Sequence, residues 1–212
     1  MKQLDSLTFT QKPKTWKVSD KITIDWKNIL PEPPANGSET TIKELKYLEE
    51  LTQNLGIREK NLILMVDKEP LDLYNDLFQG MGVAMPVDKF KKVWNILDPI
   101  IMNVKNKYNR ARPYQLGPLL GHDIKVTHTK THDSPAYPSG HTAYAALAAY
   151  MFADMYPQYS SNFFSRIQTA GLARMLQGVH YPSDNEAAMV LTGAVWQDVR
   201  YKMFPELEPY RS

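Results

Sequence analysis

The chain has 212 residues, a length that fits one domain, or one domain with an arm, and buries a sizeable core without disulfides or structural metal. Hydrophobic residues make up 43% and charged residues 23%, as in ordinary globular proteins, and a net charge of +2 argues against broad electrostatic capture of nucleic acid while leaving room for a local basic pocket. The absence of cysteine excludes thiolate metal sites, cysteine nucleophiles and disulfides, and leaves the redox compartment open.

The first 18 residues lack the apolar stretch of a secretory signal. The longest weakly polar run, residues 142–155, carries Asp154 and is shorter than the ~20 apolar residues that span a bilayer. The expectation is a soluble, cytoplasmic protein with no transmembrane segment.

Residues 1–38 read as an arm. Trp16 and Trp26 lie among polar residues, and Pro31, Pro33 and Pro34 precede a turn at Asn36, Gly37 and Ser38. Alternation over residues 21–26 would suit a short strand, but an irregular arm laid over the core is the preferred reading. Two exposed tryptophans would be unusual, so the arm is expected to dock on its own domain or on a second subunit, which makes a homo-oligomer possible.

From Ser38 the pattern turns helical. Ser38, Thr40 or Thr41 would cap a helix carrying Ile42, Leu45, Leu48, Leu51 and Leu55, ended by Gly56. Arg58, Glu59 and Lys60 read as a solvated face, and the uninterrupted apolar run 62–66 as core. Residues 71–78 form another apolar segment. A helix from about Asp88 carries Phe90, Val93, Trp94, Leu97, Ile100, Ile101 and Val104, and Pro99 should kink or split it. Residues 139–156 are rich in alanine, the best helix former, and predict a buried helix. Further helices are expected over about 161–177, stopped by Gly178, and from Asp184 or Asn185 to Met203. Runs of β-branched residues are scarce, so the fold is read as all-α: a single-domain helical bundle over 39–212 with its site between helix ends.

The long connection 113–138 holds four prolines, two glycines and three of the five histidines. Loops of that length in a compact domain usually carry function or mobility. His128 and His132, four apart with Asp133 adjacent, could serve as metal ligands, but the threonines around them disfavour a helix, and no metal is assigned. Residues 122–134 are expected instead to shape a pocket. Gly80, Met81 and Gly82 are not a phosphate loop, since no Gly-Lys-Ser/Thr follows.

Three segments carry chemistry. In residues 105–113, Lys105 and Arg112 stand seven apart, two helical turns, so both could face one side and suit an oxyanion. Taken alone, that stretch also reads as a solvated basic stripe, since Lys107 and Arg110 lie in it. In residues 137–142, Ser139 and Gly140 stand where a loop enters the alanine-rich helix, and a helix start offers free N–H groups to an anion. Ser139 could equally be a simple cap. In residues 173–184, Arg174 lies late in a helix, His180 follows Gly178, and Asp184 begins the next helix. A carboxylate on one imidazole nitrogen fixes the tautomer and makes the other nitrogen a nucleophile, although Asp184 could be only a cap and His180 a turn residue. Together the segments hold cations, a helix-start anion site and an oriented histidine. Those are the positioning and charge stabilisation that phosphoryl transfer needs, without a metal.

The order K-x-x-x-x-x-x-R-P, P-S-G-H and A-R-x-x-x-x-x-H-x-x-x-D, from Lys105 to Asp184, resembles the three-part signature of the type 2 phosphatidic acid phosphatase and vanadium haloperoxidase superfamily. Ala173 stands where that family often has serine. The resemblance implies a helical core and assigns roles. His180 attacks phosphorus and Asp184 orients it. His141 protonates the leaving alkoxide and then activates water. Lys105, Arg112, Arg174, Ser139 and the Gly140 N–H hold the phosphate oxygens of a small phosphorylated substrate. The character is nearest the soluble bacterial non-specific acid phosphatases, which are typically exported, whereas no export signal is seen here. Vanadate is expected as an inhibitor, or as cofactor if the same pocket serves as a haloperoxidase. A lipid phosphate or diphosphate phosphatase is another alternative, though no basic amphipathic anchor supports it. A non-catalytic anion binder would show a damaged cradle, and every position is filled.

Overall fold

The computed structural model describes residues 4, 6–9, 14–129 and 131–208. The rest of the predicted arm (1–3, 5 and 10–13), residue 130 and residues 209–212 lie outside the described residues. The described residues form an all-α fold with no strand, only an isolated bridge between Thr8 and Arg110.

Helix α1, Glu39–Thr52, starts where Ser38 accepts the Thr41 N–H at 3.2 Å. It stops at Thr52, so Leu55 lies beyond it, and Gly56 caps the next helix rather than ending this one. Leu45 and Leu48 face the core, while Ile42 is exposed. The apolar run 62–66 is only partly core. It belongs to α2, Ile57–Lys68, whose period of 3.6 buries Ile63 and Val66 and turns Leu64 and Met65 outward. A 3-10 turn, Pro70–Tyr74, leads into α3, Asn75–Met81.

Helix α4, Val87–Tyr108, runs unbroken through Pro99, so of the expected kink or split the split does not occur. Proline removes one bond, to the Asn95 carbonyl on an exposed turn, while Val93, Leu97, Ile100, Ile101 and Val104 anchor both halves in the core. Short α5, Pro113–Leu116, and a 3-10 turn, Gly117–Leu120, open the long connection. Helix α6, Gly140–Met155, is buried almost all round, because its alanines let α7 (Ser160–Leu176) and α8 (Pro182–Met203) approach closely. Among the described residues, no helix is long and apolar enough to cross a membrane.

The described part of the arm is irregular apart from a 3-10 turn at Trp26–Asn28, so the possible strand over 21–26 does not form. It lies on its own chain. The Trp16 N–H donates to Asn103 Oδ1 at 3.0 Å, the Thr23 N–H to Asp198 Oδ2 at 2.7 Å, and Tyr108 donates its hydroxyl to the Leu30 carbonyl at 3.0 Å. Ile22, Ile24 and Trp26 pack against the main core.

Candidate active site

Three chain turns bring the predicted residues together. The first is at the end of α4. Asn109 adopts the left-handed conformation (φ 45°) and ends the helix just after Lys105 and Tyr108. Pro113 then holds Arg112 extended, with φ −78° and ψ 157°. Lys105 and Arg112 therefore do not share one helical face, as their spacing had suggested. They converge because the chain reverses between them.

The second turn is the start of α6. Ser139 caps it, accepting the Thr142 N–H at 3.4 Å and donating its hydroxyl to Thr142 Oγ1 at 2.9 Å. Its own N–H donates to the Asp184 carbonyl at 3.0 Å, which ties the starts of α6 and α8 together. The third turn joins α7 to α8. Gly178 has φ +77°, and a Cβ there would stand 2.4 Å from the Lys125 carbonyl oxygen, so both the turn and the passing loop require glycine. Asp184, in the first turn of α8, accepts the Tyr181 N–H at 2.9 Å and faces His180 Nδ1 at 3.1 Å through the same oxygen, Oδ2. Asp184 thus both caps the start of α8 and contacts the imidazole of His180.

The tautomer of His180 follows from its neighbours. Arg112 Nη1 lies 3.1 Å from His180 Nε2, and a guanidinium can only donate. Nε2 is therefore the acceptor, and the ring proton sits on Nδ1 against Asp184. Burial, then the charges of Arg112, Lys105 and Arg174, hold the imidazole well below its ordinary pKa. His180 is neutral, with a lone pair on Nε2. Arg112 is fixed by its other donors, Nε to the Ser134 carbonyl at 2.9 Å and Nη1 to the Val179 carbonyl at 2.8 Å.

A cavity of about 380 Å³ opens on this group. Its wall includes Lys105, Arg112, Gly140, His141 and His180. Lys105 donates to the Pro135 carbonyl at 2.5 Å, and burial followed by Arg112 presses its pKa well below the usual lysine value. The His141 Nε2–H donates to the Asp67 carbonyl at 3.1 Å, leaving Nδ1 as its basic nitrogen. Burial first, then Arg174, bring His141 down to about 3. Arg174 and Ser139 are buried and lie outside that wall. Ser139 is engaged with Thr142. Arg174 donates from Nη1 to Asp67 Oδ1 at 2.7 Å and from Nη2 to Thr131 at 3.3 Å, while its Nε has no partner among the described residues.

The long loop contributes Thr131, Asp133 and Ser134 to the cavity. The rings of His128 and His132 stand 5.8 Å apart, and neither lines the cavity.

A family model described as the PAP2 superfamily matches residues 93–207, more than half of the chain. The chain belongs to the PAP2 superfamily. Among curated proteins it is similar to a non-specific acid phosphatase of Providencia stuartii, 25% identical over 201 residues that cover 88% of this chain and 79% of that protein. It is also similar to an acid phosphatase of Zymomonas mobilis subsp. mobilis, 30% identical over 95 residues, 43% of this chain and 34% of that one. Among solved structures, the first transmembrane PAP2 type phosphatidylglycerolphosphate phosphatase from Bacillus subtilis is 17% identical with a TM-score of 0.39, over 82% of this chain and 81% of that chain.

The PAP2 segment encloses all three motifs but not two carboxylates that complete the site. Asp67, at the end of α2, accepts from Arg174 and from Thr129 (2.9 Å) and Thr131 of the long loop. Burial alone would raise its pKa, but the bonds from Thr131 and Arg174 and the Arg174 charge hold it below the usual carboxylate range. Glu44, on α1, accepts from Arg110 Nη2 at 3.2 Å and from the Ser183 N–H at 2.7 Å. Arg110 is the other residue that sequence reading missed. It is not part of a solvated stripe but is buried, donating to Asp184 Oδ1 at 2.6 Å and Ser183 Oγ at 2.8 Å and lying 3.9 Å over the Tyr181 ring. Its one signal is its place two residues before Arg112, beyond the helix-ending Asn109. Asp67 has no local signal, since its partner Arg174 is 107 residues away.

Proposed function

We propose that the chain is a phosphohydrolase of acid-phosphatase type that cleaves phosphomonoesters by passing the phosphoryl group to His180, with no metal required. The observation that carries this reading is the pose of His180: neutral, held through Nδ1 by Asp184, with Nε2 turned towards the Arg112 guanidinium at the cavity wall. The family membership and the acid phosphatases among its relatives support the same reaction class.

In the first step the Nε2 lone pair forms a bond to phosphorus as the bond from phosphorus to the ester oxygen breaks. The Nδ1 proton stays with the ring against Asp184, which offsets the charge that develops. His141, protonated on Nδ1, gives that proton to the leaving oxygen. In the second step His141 takes a proton from water, the water oxygen bonds to phosphorus, and the bond to His180 breaks, releasing inorganic phosphate. Lys105, Arg112 and the Gly140 N–H line the cavity where the phosphoryl oxygens would lie and supply positive charge to the transition state. Arg174 joins them when it turns from Asp67, and Ser139 when its hydroxyl turns from Thr142. Hydrolysis of p-nitrophenyl phosphate that persists in excess EDTA and is inhibited by vanadate is the expected result. No hydrolysis at any pH from acidic to neutral would remove the reading.

His141 sets a pH prediction. In the empty site it titrates at about 3 because burial and cations oppose its charge. A bound phosphate dianion offsets those cations and raises the pKa, which makes the ring an acid when it is needed. An NMR titration of His141 is expected to show a rise of more than about two units on vanadate binding, and an unchanged value would exclude it as the acid. The same depression acts on stability. Between pH 6.5 and about 3 the unfolded chain binds a proton that the folded chain does not, so this contribution is complete above 6.5 and lost as pH falls through that window. His141→Gln should flatten this part of the stability profile.

Asp67 sets another. Its carboxylate holds the guanidinium that the phosphate would use, and it places a negative charge beside the anion. Asp67→Asn is expected to tighten binding of inorganic phosphate by about three- to tenfold by calorimetry. Weaker binding would mean that Asp67 serves to position Arg174 and does not compete with the anion.

A further inference from the structure

Beside the cationic cradle, the same cavity is lined by Trp94 and Asp98 of α4, Tyr144 of α6, Lys68 at the end of α2, and Glu69 and Pro70 after it. Trp94 and Tyr144 meet edge to face with ring centres 4.6 Å apart, and both are only partly buried. Glu69 is already engaged, accepting the Leu71 N–H at 3.1 Å, and its charge, after burial, raises the pKa of the neighbouring Tyr144 hydroxyl. Asp98 is different. It lines the cavity, and its carboxylate forms no hydrogen bond or ion pair with the described residues. Burial raises its pKa, and the Lys105 charge offsets only part of that. Asp98 stands two turns before Lys105 on α4, ~10 Å along the axis, so the aromatic wall and the carboxylate lie one short molecule away from the cradle.

A second phosphate or a carboxylate would meet the Asp98 and Glu69 carboxylates, while Lys68, the neighbouring cation, is exposed to solvent. A cation meets both an aromatic wall and an unpaired carboxylate, the combination that recognises ammonium groups. Resting on the phosphohydrolase reading above, we infer that the preferred substrates are phosphomonoesters of short amino alcohols, with the ammonium group held at Trp94, Tyr144 and Asp98.

The test compares phosphocholine with 3,3-dimethylbutyl phosphate, which has the same shape but a neutral carbon in place of the ammonium nitrogen, following phosphate release by the full chain. The expected preference for phosphocholine in kcat/KM is about tenfold or more, and Asp98→Asn brings the ratio of the two towards one. The ratio is read on one protein preparation, so partial misfolding of the variant does not alter it. A ratio near one in the native chain overturns the inference, as does a preference that survives Asp98→Asn, because an Asp98 that acts only on Lys105 changes both substrates alike. If p-nitrophenyl phosphate is hydrolysed while the pair is not distinguished, the phosphohydrolase reading stands and the substrate class falls. If none of the three is hydrolysed, both fall.

Discussion

His180→Ala is expected to lower phosphomonoester hydrolysis by at least about ten-thousand-fold, with the chain still folded. The loss is large because Lys105, Arg112 and the Gly140 N–H only bind and polarise the phosphate, and His141 is committed to acid–base work on the leaving oxygen and the water, so no other group attacks phosphorus in place of Nε2. The fold survives because Asp184 keeps two of its partners, the Arg110 guanidinium at 2.6 Å and the Tyr181 N–H at 2.9 Å. Circular dichroism and steady-state rates on the same sample check both parts. Residues that act as one unit are not additive, so adding Asp184→Asn to His180→Ala should lower the rate little further. A variant within about tenfold of the native rate would remove His180 as nucleophile.

The second large effect falls on stability. Arg110→Leu leaves Asp184 and Glu44, both buried, without their shared cation, and breaking a buried pair costs about 3–5 kcal/mol. Burial already pushes the Glu44 carboxyl up, chiefly against the pull of Arg110, so without that pull it takes up a proton. Asp184 keeps its contacts with His180 Nδ1 and the Tyr181 N–H but loses its cation. The double variant Arg110→Leu with Glu44→Gln should therefore recover part of the stability and little of the activity. Urea midpoints and rates, measured together, separate the two partners. An unchanged midpoint for Arg110→Leu would show that the network is not holding α1, α8 and the α4 exit together.

The parts that were legible in the sequence are those written locally. Alanine density marks α6, Ser38 marks the start of α1, and the spacing from His180 to Asp184 anticipates the contact between the imidazole and the carboxylate. Local spacing misled where a single residue redirects the chain. Lys105 and Arg112 count as two helical turns, yet Asn109 ends the helix between them. Residues 62–66 look like uniform core, yet helical periodicity exposes Leu64 and Met65. What stayed hidden depends on contacts between distant segments. Asp67 on Arg174, Glu44 on Arg110, and the loop threonines on Asp67 join α1, α2, α7 and the long connection, and no pattern within any one of them announces the pairing. The loop was expected to shape the pocket, and it does so while also buttressing the cradle through Ser134 and Thr131.

The covalent step at His180 Nε2 is tested most directly by trapping the phosphorylated intermediate. The native chain is mixed with a phosphomonoester carrying isotopically labelled phosphate, denatured in alkali during turnover, and mapped by peptide mass spectrometry. Labelled phosphate is expected on the peptide containing His180, stable in alkali and lost in acid, as a phosphorus–nitrogen bond requires. Rapid turnover with the label on another residue, or on none, would contradict it.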